Sequence, residues 1–232
     1  MEATVSGAKV SDAIAYHESL ATGWTDRYAS GGFKRRAAFF TDEVLPQLAP
    51  TGEWLDVGCG SGVFSRLLAG AGARVLGLDG SQAMIDAARA HSGKLAARFE
   101  VRKVEDVATL EGVFDGAICL SVLEYLERPE TALAAIASRL RPGARLALSA
   151  PNRGSTLRRA QRMLRPLAAA TGSKAFAYLD SSRNLWERRE LQKLAEGAGL
   201  EVESILGFDP VAPRPLWPVI SPSLWFLVAR KR

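Results

Sequence analysis

Residues 56–62 form a short acidic and glycine-rich run that is suited to hold a ligand close to its backbone. The run reads Asp-Val-Gly-Cys-Gly-Ser-Gly and follows the apolar residues Trp54 and Leu55. Glycine permits the positive φ angles and the close backbone approach of a tight turn, so a strand is predicted to end here and a helix to begin near Val63. Asp56 at the mouth of this turn would repel a phosphate group but suits an ammonium group.

The glycine spacing distinguishes this run from a dinucleotide-binding loop. Gly58, Gly60 and Gly62 are spaced G-x-G-x-G, whereas the dinucleotide pattern G-x-G-x-x-G would place its last glycine at Val63. With a valine there, a bound pyrophosphate would lose part of its close approach to the backbone. The spacing therefore disfavours a nicotinamide-dependent oxidoreductase, which is kept as an alternative.

A second acid ends the next predicted strand. Residues 74–81 read Arg-Val-Leu-Gly-Leu-Asp-Gly-Ser, so the apolar stretch stops at Asp79. A carboxylate in this place can accept hydrogen bonds from both hydroxyls of a ribose, as it does in doubly wound nucleoside sites. The two strand ends together predict a nucleoside-binding site; an ordinary strand–turn–helix without a ligand is the alternative.

These residues resemble class I S-adenosylmethionine-dependent methyltransferases, whose first motif reads (L/V)-D-x-G-x-G-x-G and whose second strand ends in an acid. The resemblance covers about residues 50–150. It implies a Rossmann-like, doubly wound α/β fold with seven strands in the order 3-2-1-4-5-7-6, the last strand antiparallel. It also implies S-adenosylmethionine as cofactor and S-adenosylhomocysteine as product.

Apolar runs alternate with amphipathic segments along the rest of the chain, which favours a mostly parallel sheet with helices on both faces. Later strands are predicted at 99–101, 114–120, 145–150, 202–208 and 224–229. Helices are predicted at 81–89 and at 131–140, and Pro142 and Gly143 are expected to end the second of these. A third helix is predicted from Ser155, with Pro166 kinking or ending it. A fourth is predicted to begin at Asn184 through a capping box.

Length and composition favour one domain. The 232 residues divide into an N-terminal cap (1–40), a cofactor-binding half (41–150), a basic lid insertion (151–183) and a C-terminal helix with the last two strands (184–232). Apolar residues make up 47% but never form a run of about eighteen, and the first residues do not form a signal peptide. Two cysteines and two histidines disfavour a disulfide framework or a structural zinc site, so a cytoplasmic setting is expected.

The resemblance assigns cofactor contacts residue by residue. An acid after the third strand commonly accepts the adenine amino group; here Lys103 takes the usual place, and Glu105, Asp106 or a backbone carbonyl is left for the task. Arg36 is assigned to the cofactor carboxylate, although a basic residue at a helix start is often merely solvated. The complete predicted set is Arg36, Asp56, Gly58, Cys59, Gly60, Gly62, Asp79, Gly80, Met84, Glu105, Asp106 and Leu120.

Methyl transfer mainly requires that the acceptor be held in line with the methyl group, with proton removal when the acceptor is a hydroxyl. Two residues are candidates for the base. His17 lies in an N-terminal segment that forms a lid in similar enzymes, and Tyr125 occupies a position where many relatives carry histidine.

A metal-assisted mechanism is not predicted. Ubiquinone-biosynthesis O-methyltransferases, which the chain resembles in length and layout, tend to carry E-x-x-E-H after the fourth strand, where it can hold a divalent metal near a catechol. Residues 121–125 here read Ser-Val-Leu-Glu-Tyr, so only Glu124 of the three ligands is retained. This departure puts both a metal site and a quinone-type acceptor in doubt.

The insertion carries six basic residues and no acid between Arg153 and Lys174. One interpretation is a substrate lid that packs an apolar stripe on the sheet and turns its arginines to water; another is an interfacial helix on anionic lipid. Nucleic-acid binding is disfavoured because few aromatic residues accompany the charges. The stripe would consist of Leu157, Ala160, Leu164, Leu167 and Ala168, with Arg158, Arg162 and Arg165 off it.

The proline-rich loop 209–222 has Phe208, Trp217 and Trp225 nearby and would suit a flat or apolar acceptor. The alternative is that these aromatic residues only seal the edge of the sheet. The sequence therefore predicts an S-adenosylmethionine-dependent methyltransferase that acts on a small apolar or aromatic molecule, more often at a hydroxyl oxygen. An N-methyltransferase for a small amine and a non-catalytic cofactor-binding homologue are the alternatives.

Overall fold

A seven-stranded sheet in the order β3-β2-β1-β4-β5-β7-β6 forms the centre of the protein. The computed structural model describes residues 23–170, 182–212, 214–217 and 219–232. β7 runs antiparallel to both of its neighbours, and the other neighbouring strands pair in parallel, so the predicted fold class is confirmed. The strands are β1 (Glu53–Val57), β2 (Arg74–Asp79), β3 (Ala97–Val101), β4 (Phe114–Leu120), β5 (Leu140–Pro151), β6 (Leu200–Phe208) and β7 (Leu224–Lys231).

Helices cover both faces of this sheet. The α-helices of the described residues are α1 (Gly31–Phe39), α2 (Leu45–Leu48), α3 (Val63–Gly70), α4 (Gln82–His91), α5 (Pro129–Ser138), α6 (Thr156–Ala170) and α7 (Arg188–Gly197). Short 3-10 turns cover Thr25–Ala29, Val104–Thr109, Leu123–Tyr125 and Arg214–Leu216, and a π-helical turn covers Phe40–Val44. Within the described parts of the chain, no helix has both the length and the apolar composition needed to cross a membrane.

The central strands are apolar at successive positions because both faces of the sheet are buried. In β1, Leu55 and Val57 pack into the core on one face, whereas Trp54 packs with Phe40 and Phe64 on the other. This double burial explains why β1, β2 and β4 could be predicted from the sequence as apolar runs rather than as alternating ones.

Two predicted helix boundaries were wrong near β5. α5 begins at Pro129 and ends at Ser138, earlier than the predicted 131–140. Proline is well suited to the first turn of a helix because its missing N–H would have no partner there. Pro142 and Gly143 lie inside β5, where the pairing with β4 shifts register between Phe114 and Gly116.

The predicted capping role of Asn184 was also wrong. Glu187 is the N-cap of α7, and its backbone N–H donates to the Glu190 carboxylate at 2.8 Å. The Asn184 amide instead donates to the backbone oxygens of Leu123 and Leu126, at 3.1 and 2.7 Å. A residue predicted to start a helix therefore holds the turn that follows β4.

The third glycine of the loop is required by packing as well as by its backbone. Gly62 has a φ of +73°, and a Cβ at this position would lie 2.8 Å from the Phe99 ring and 3.1 Å from Ala88. The loop can therefore lie close to β3 and α4 only because this residue has no side chain.

We expect Gly62→Ala to lower the free energy of unfolding by about 2–4 kcal/mol, since it adds both backbone strain and overpacking. Gly70→Ala is the matched control, because Gly70 ends α3 without a positive φ and a Cβ there would meet no neighbouring atom within 4 Å. That control should be neutral or stabilise by about 0.5–1 kcal/mol. Equal effects of the two changes in chemical denaturation would contradict the packing role of Gly62.

Candidate functional site

A cavity of about 590 Å³ opens at the carboxyl ends of β1, β2 and β4. This volume is in the range of small-molecule and cofactor sites. Parallel strands bring their carboxyl ends to one edge of the sheet, where the order reverses between β1 and β4, so the site lies at the topological switch point. The predicted residues in its wall are Arg36, Asp56, Gly58, Cys59, Gly60, Asp79, Gly80, Met84, Glu105, Leu120 and Tyr125.

The glycine loop is anchored to the end of β2. The backbone N–H groups of Gly58 and Cys59 both donate to the Leu78 carbonyl, at 2.7 and 2.9 Å. Gly58 has a φ of +74°, and a Cβ there would overlap the Val122 side chain. The turn can therefore pass directly beneath the residues that follow β4.

Asp79 connects the glycine loop to the start of α4. Its carboxylate accepts the backbone N–H of Gly60 and that of Ser81, each at 2.9 Å. Ser81 in turn caps α4 by accepting the Met84 N–H at 3.2 Å. Asp79 also lines the cavity, so its carboxylate can meet the hydroxyls of a ligand there.

Asp56 is a buried acid at the cavity wall, 2% exposed. Burial raises the pKa of its carboxyl group to about 7, a hydrogen bond from Ser65 opposes that shift, and the negative charge of Asp79 adds to it. The Ser65 hydroxyl donates at 2.5 Å. A cation brought next to Asp56 would favour its ionised form, as expected for a group that binds an ammonium ion.

Arg36 extends from α1 into the cavity wall and is not a solvated residue. One of its terminal nitrogens donates to the Ser149 hydroxyl at 3.0 Å, and its guanidinium lies 5.4 Å from the centre of the Phe64 ring. Its Nε is buried and has no hydrogen-bond partner in the described residues. A buried guanidinium with an unused donor is suited to bind an anion.

Aromatic residues before α1 and in its first turn cover the glycine loop. The Phe33 ring contacts the rings of Trp24 and Tyr28 edge to face, at 5.7 and 5.1 Å between centroids. The Thr25 hydroxyl donates to the Ser61 hydroxyl at 2.9 Å, which ties this segment to the loop. Trp24, Tyr28 and Phe33 all line the cavity. His17, the other half of the predicted catalytic pair, lies outside the described residues.

The turn after β4 brings a second buried acid to the cavity. Ser121 has a φ of +57°, a strained conformation for a residue other than glycine, and redirects the chain into the turn Leu123–Tyr125. Glu124 is 3% exposed, and its Oε2 has no hydrogen-bond partner in the described residues. Burial raises the pKa of the Glu124 carboxyl to about 7, opposed by the charges of Arg36 and Arg158.

Among the described residues, no metal site is built around Glu124. Its neighbours in the turn are Ser121 and Tyr125, as the sequence indicates, and the described residues contain no group of three His, Cys, Asp or Glu side chains that could hold a metal ion. The donor set therefore does not fit a hard divalent cation, which prefers about six oxygen ligands.

α6 contributes Leu157, Arg158 and Gln161 to the cavity wall. The predicted apolar stripe was therefore misplaced in part: Ala160 is exposed, whereas Arg158 is half-buried in the wall. The helix also continues through Pro166 to Ala170 and does not end at the proline. The side chains of Leu164, Arg165, Leu167 and Ala168, and the whole of Lys174, lie outside what the structure describes.

Several predicted residues lie away from the cavity wall. Gly62 packs against β3, and Asp106 is exposed, whereas Glu105 lies in the wall beside Lys103. Of the three aromatic residues near loop 209–222, Phe208 lines the cavity. Trp217 packs on Phe39 and Phe208, and Trp225 donates to the Trp186 carbonyl at 3.3 Å.

Sequence reasoning gave no site role to Arg158, Gln161 or Phe33, and it treated Glu124 only as a remnant of a metal site. Arg158 and Gln161 depend on how α6 is rotated against the sheet, which its own sequence does not decide. Glu124 carried one usable signal: it is an acid shortly after a mostly apolar strand, at the same edge as Asp56 and Asp79.

Comparisons with known proteins agree with this geometry. A family model described as a methyltransferase domain matches residues 28–205. A ubiquinone biosynthesis O-methyltransferase of Thiobacillus denitrificans is 33% identical over 162 residues, which are 66% of this chain and 66% of that protein. One of Xanthomonas axonopodis pv. citri is 39% identical over 114 residues, 47% of this chain and 48% of that protein. The matches thus span about half to two thirds of these relatives.

Solved structures share the fold at low identity. Magnesium protoporphyrin IX methyltransferase from Synechocystis PCC 6803, solved with bound S-adenosylhomocysteine, has a TM-score of 0.70 and 20% identity, covering 97% of this chain and 100% of that one. A methyltransferase described as putative, in complex with the Trm112 activator of Haloferax volcanii, has a TM-score of 0.65 and 18% identity, covering 92% and 96%.

Proposed function

We propose, from the premise that this chain belongs to the methyltransferase domain family, that it methylates a hydroxyl oxygen of a small apolar or aromatic molecule. Membership follows from the family match, which covers more than half of the chain. S-adenosylmethionine supplies an electrophilic methyl group on a sulfonium. The observation that carries the proposal is the Asp79 carboxylate, bonded to Gly60 and Ser81 at the switch point of the sheet.

The residues of the cavity fit the parts of this cofactor. Asp79 would accept the ribose hydroxyls, and Glu105, in the wall after β3, would receive the adenine amino group. Asp56 would face the ammonium, and the guanidinium of Arg36 would bind the carboxylate. Complementary charges at both ends of an amino acid fix its direction in the cavity.

The other side of the cavity is built for an acceptor of low polarity. Leu157 from α6, Phe208 at the end of β6, Val211 from the following loop and Leu224 at the start of β7 contribute apolar surface there. Asp209 holds this loop in shape, because its carboxylate accepts the N–H groups of Val211 and Ala212 at 2.9 and 2.8 Å. A flat or aliphatic molecule would be buried between these side chains.

A hydroxyl acceptor agrees with the charges better than an amine does. Arg36 and Arg158 both act on Glu124 from the cavity wall. Guanidinium groups beside Glu124 would repel a protonated amine and would stabilise an oxygen that acquires negative charge as its proton leaves.

We expect the protein to bind S-adenosylhomocysteine and not NAD in calorimetry, and Asp79→Ala to weaken that binding. The loss should be about 1.5–3 kcal/mol, because two hydroxyls lose a charged acceptor. Asp79→Asn, which keeps one acceptor oxygen, should lose less. Asp86→Ala is the control, since this acid is exposed on α4 and bonds to Gln82. Unchanged affinity in Asp79→Ala would refute the ribose assignment.

Turnover should need no divalent metal, since Glu124 beside Ser121 and Tyr125 provides one carboxylate where a hard cation requires several oxygen ligands. A chelator should therefore leave the rate of methyl transfer unchanged. Loss of the rate in chelator, with recovery on adding magnesium, would instead support a metal-assisted catechol mechanism.

A peripheral contact with anionic membrane is a second proposal, for the exposed side of α6. Met163 is 81% exposed there, and Arg159 and Arg162 beside it are exposed as well. An apolar side chain flanked by basic ones on one helix is typical of an interfacial segment. Arg153 is not part of this surface, because it pairs with Glu190 at 2.8 Å. The protein is proposed to act in the cytoplasm, and such a surface would bring it to an apolar acceptor that dissolves in the membrane.

Replacing both Arg159 and Arg162 by Gln should reduce sedimentation with anionic vesicles roughly 30-fold at low salt, because each basic residue contributes about 1 kcal/mol at such a surface. Binding of the unaltered protein should also decrease as salt rises. The matched control replaces the exposed pair Arg188 and Arg189 by Gln. If the unaltered protein does not sediment with anionic vesicles at low salt, the membrane contact is refuted and α6 is a substrate lid without a membrane role.

A further inference from the structure

The Glu124 carboxyl is the buried ionisable group of the cavity that no assigned cofactor contact uses. Like Leu157 and Arg158 of α6, it lies in the cavity wall. Its side chain is 3% exposed, and Oε2 has no hydrogen-bond partner in the described residues. Leaving a buried carboxylate oxygen unpaired costs a protein about 1–3 kcal/mol, so such an atom requires an explanation.

The backbone around Glu124 is held from both sides, which fixes where the side chain can reach. The backbone N–H groups of Arg183 and Asn184 donate to the Glu124 carbonyl at 2.8 and 3.1 Å. The Asn184 amide bonds to the carbonyls on either side of the turn, those of Leu123 and Leu126. A reactive group supported in this way is preorganised and does not have to be ordered during the reaction.

Charged and titratable groups reach Glu124 from three elements. Arg36 approaches from α1 and Arg158 from α6, and both favour the ionised carboxylate. The Cys119 thiol of β4 is also close enough to respond to Glu124, but burial raises its pKa and keeps it protonated. Ser121, which begins the same turn, also favours the ionised form of the Glu124 carboxyl. The surroundings thus allow Glu124 to exchange a proton while two cations stay in place.

We propose that Glu124 is the catalytic base, whose carboxyl takes the hydroxyl proton of the acceptor as the oxygen attacks the methyl group. This inference rests on the proposed function. The O–H bond of the acceptor breaks toward Glu124 and a new O–CH₃ bond forms. The S–CH₃ bond breaks with its electron pair remaining on sulfur, which becomes a neutral thioether. The protonated Glu124 then returns its proton to solvent.

Glu124 suits this role better than the predicted candidate Tyr125. A phenol has an ordinary pKa of about 10, so a tyrosine holds its proton at neutral pH and cannot accept another readily. A general base is most effective when its pKa lies near the working pH. With the pKa of Glu124 at about 7, the rate of methyl transfer should increase as the pH rises through that value and level off above it.

Glu124→Gln should lower kcat by about 10²- to 10⁴-fold, the usual contribution of a general base, and leave the affinity for S-adenosylhomocysteine within about 3-fold. Glu127→Gln is the matched control: this glutamate is exposed three residues later and pairs with Arg183 at 3.0 Å outside the cavity wall. It should keep the activity of the unaltered protein.

A series of para-substituted phenols of graded acidity separates a base from a merely structural residue. Acidic phenols are already ionised at pH 8 and need no base, so the defect of Glu124→Gln should shrink steadily as phenol acidity increases. A structural role would lower all the rates by the same factor, and that result would overturn the proposal. The pH dependence described above should also be lost in this variant.

A titration without turnover provides an independent readout. Infrared difference spectra of the free protein against Glu124→Gln should show one protonated carboxyl that ionises near pH 7. A carboxyl that ionises near pH 4 would overturn the proposal. If the unaltered protein binds S-adenosylhomocysteine but methylates no phenol, the hydroxyl acceptor and the role of Glu124 fail together. If it does not bind S-adenosylhomocysteine, the proposed function itself fails.

Discussion

The hydrogen bonds that the Asp79 carboxylate accepts from Gly60 and Ser81 are the interactions on which the site depends. They join the glycine loop, which leaves β1, to the start of α4, which leaves β2. Sheet pairing brings these two strand ends together, since Val57 lies beside Leu78 in the β1–β2 register. One acid can therefore fix the shape of the loop and offer acceptor oxygens to a ligand at the same edge.

The rest of the cavity combines buried acids with half-buried arginines. Asp56 and Glu124 are almost fully buried, and burial raises the pKa of each carboxyl to about 7. Both bind a proton more tightly in the folded chain than in the unfolded one, so their contribution favours folding at acidic pH and is lost as the pH rises through about 7. Arg36, with its unused Nε, has a comparable desolvation cost. Such a set of groups is expected where charge is needed for binding and proton transfer rather than for stability.

The sequence predicted well the sheet and the edge at which the cavity opens, because the controlling signals are local. An apolar run that stops at an acid and then turns through glycines marks a strand end, and parallel strands place their ends together. The predicted cap at Asn184 and the predicted helix end at Pro166 were wrong because both depend on which of several bonding partners lies nearer in the folded chain. Asn184 finds the turn after β4, and α6 tolerates its proline. The positions of the Arg158 and Glu124 side chains could not be predicted from the sequence, since their burial depends on how α6 packs over the turn after β4.

A crystal structure of the protein with S-adenosylhomocysteine tests the central claim most directly. The account predicts both ribose hydroxyls within hydrogen-bond distance of the Asp79 carboxylate, which keeps its bonds to Gly60 and Ser81. It also predicts the amino-acid end between Asp56 and Arg36 and the sulfur on the side of the cavity that Glu124 lines. A ribose bound elsewhere, with Asp79 bonded to the loop and helix alone, would contradict it.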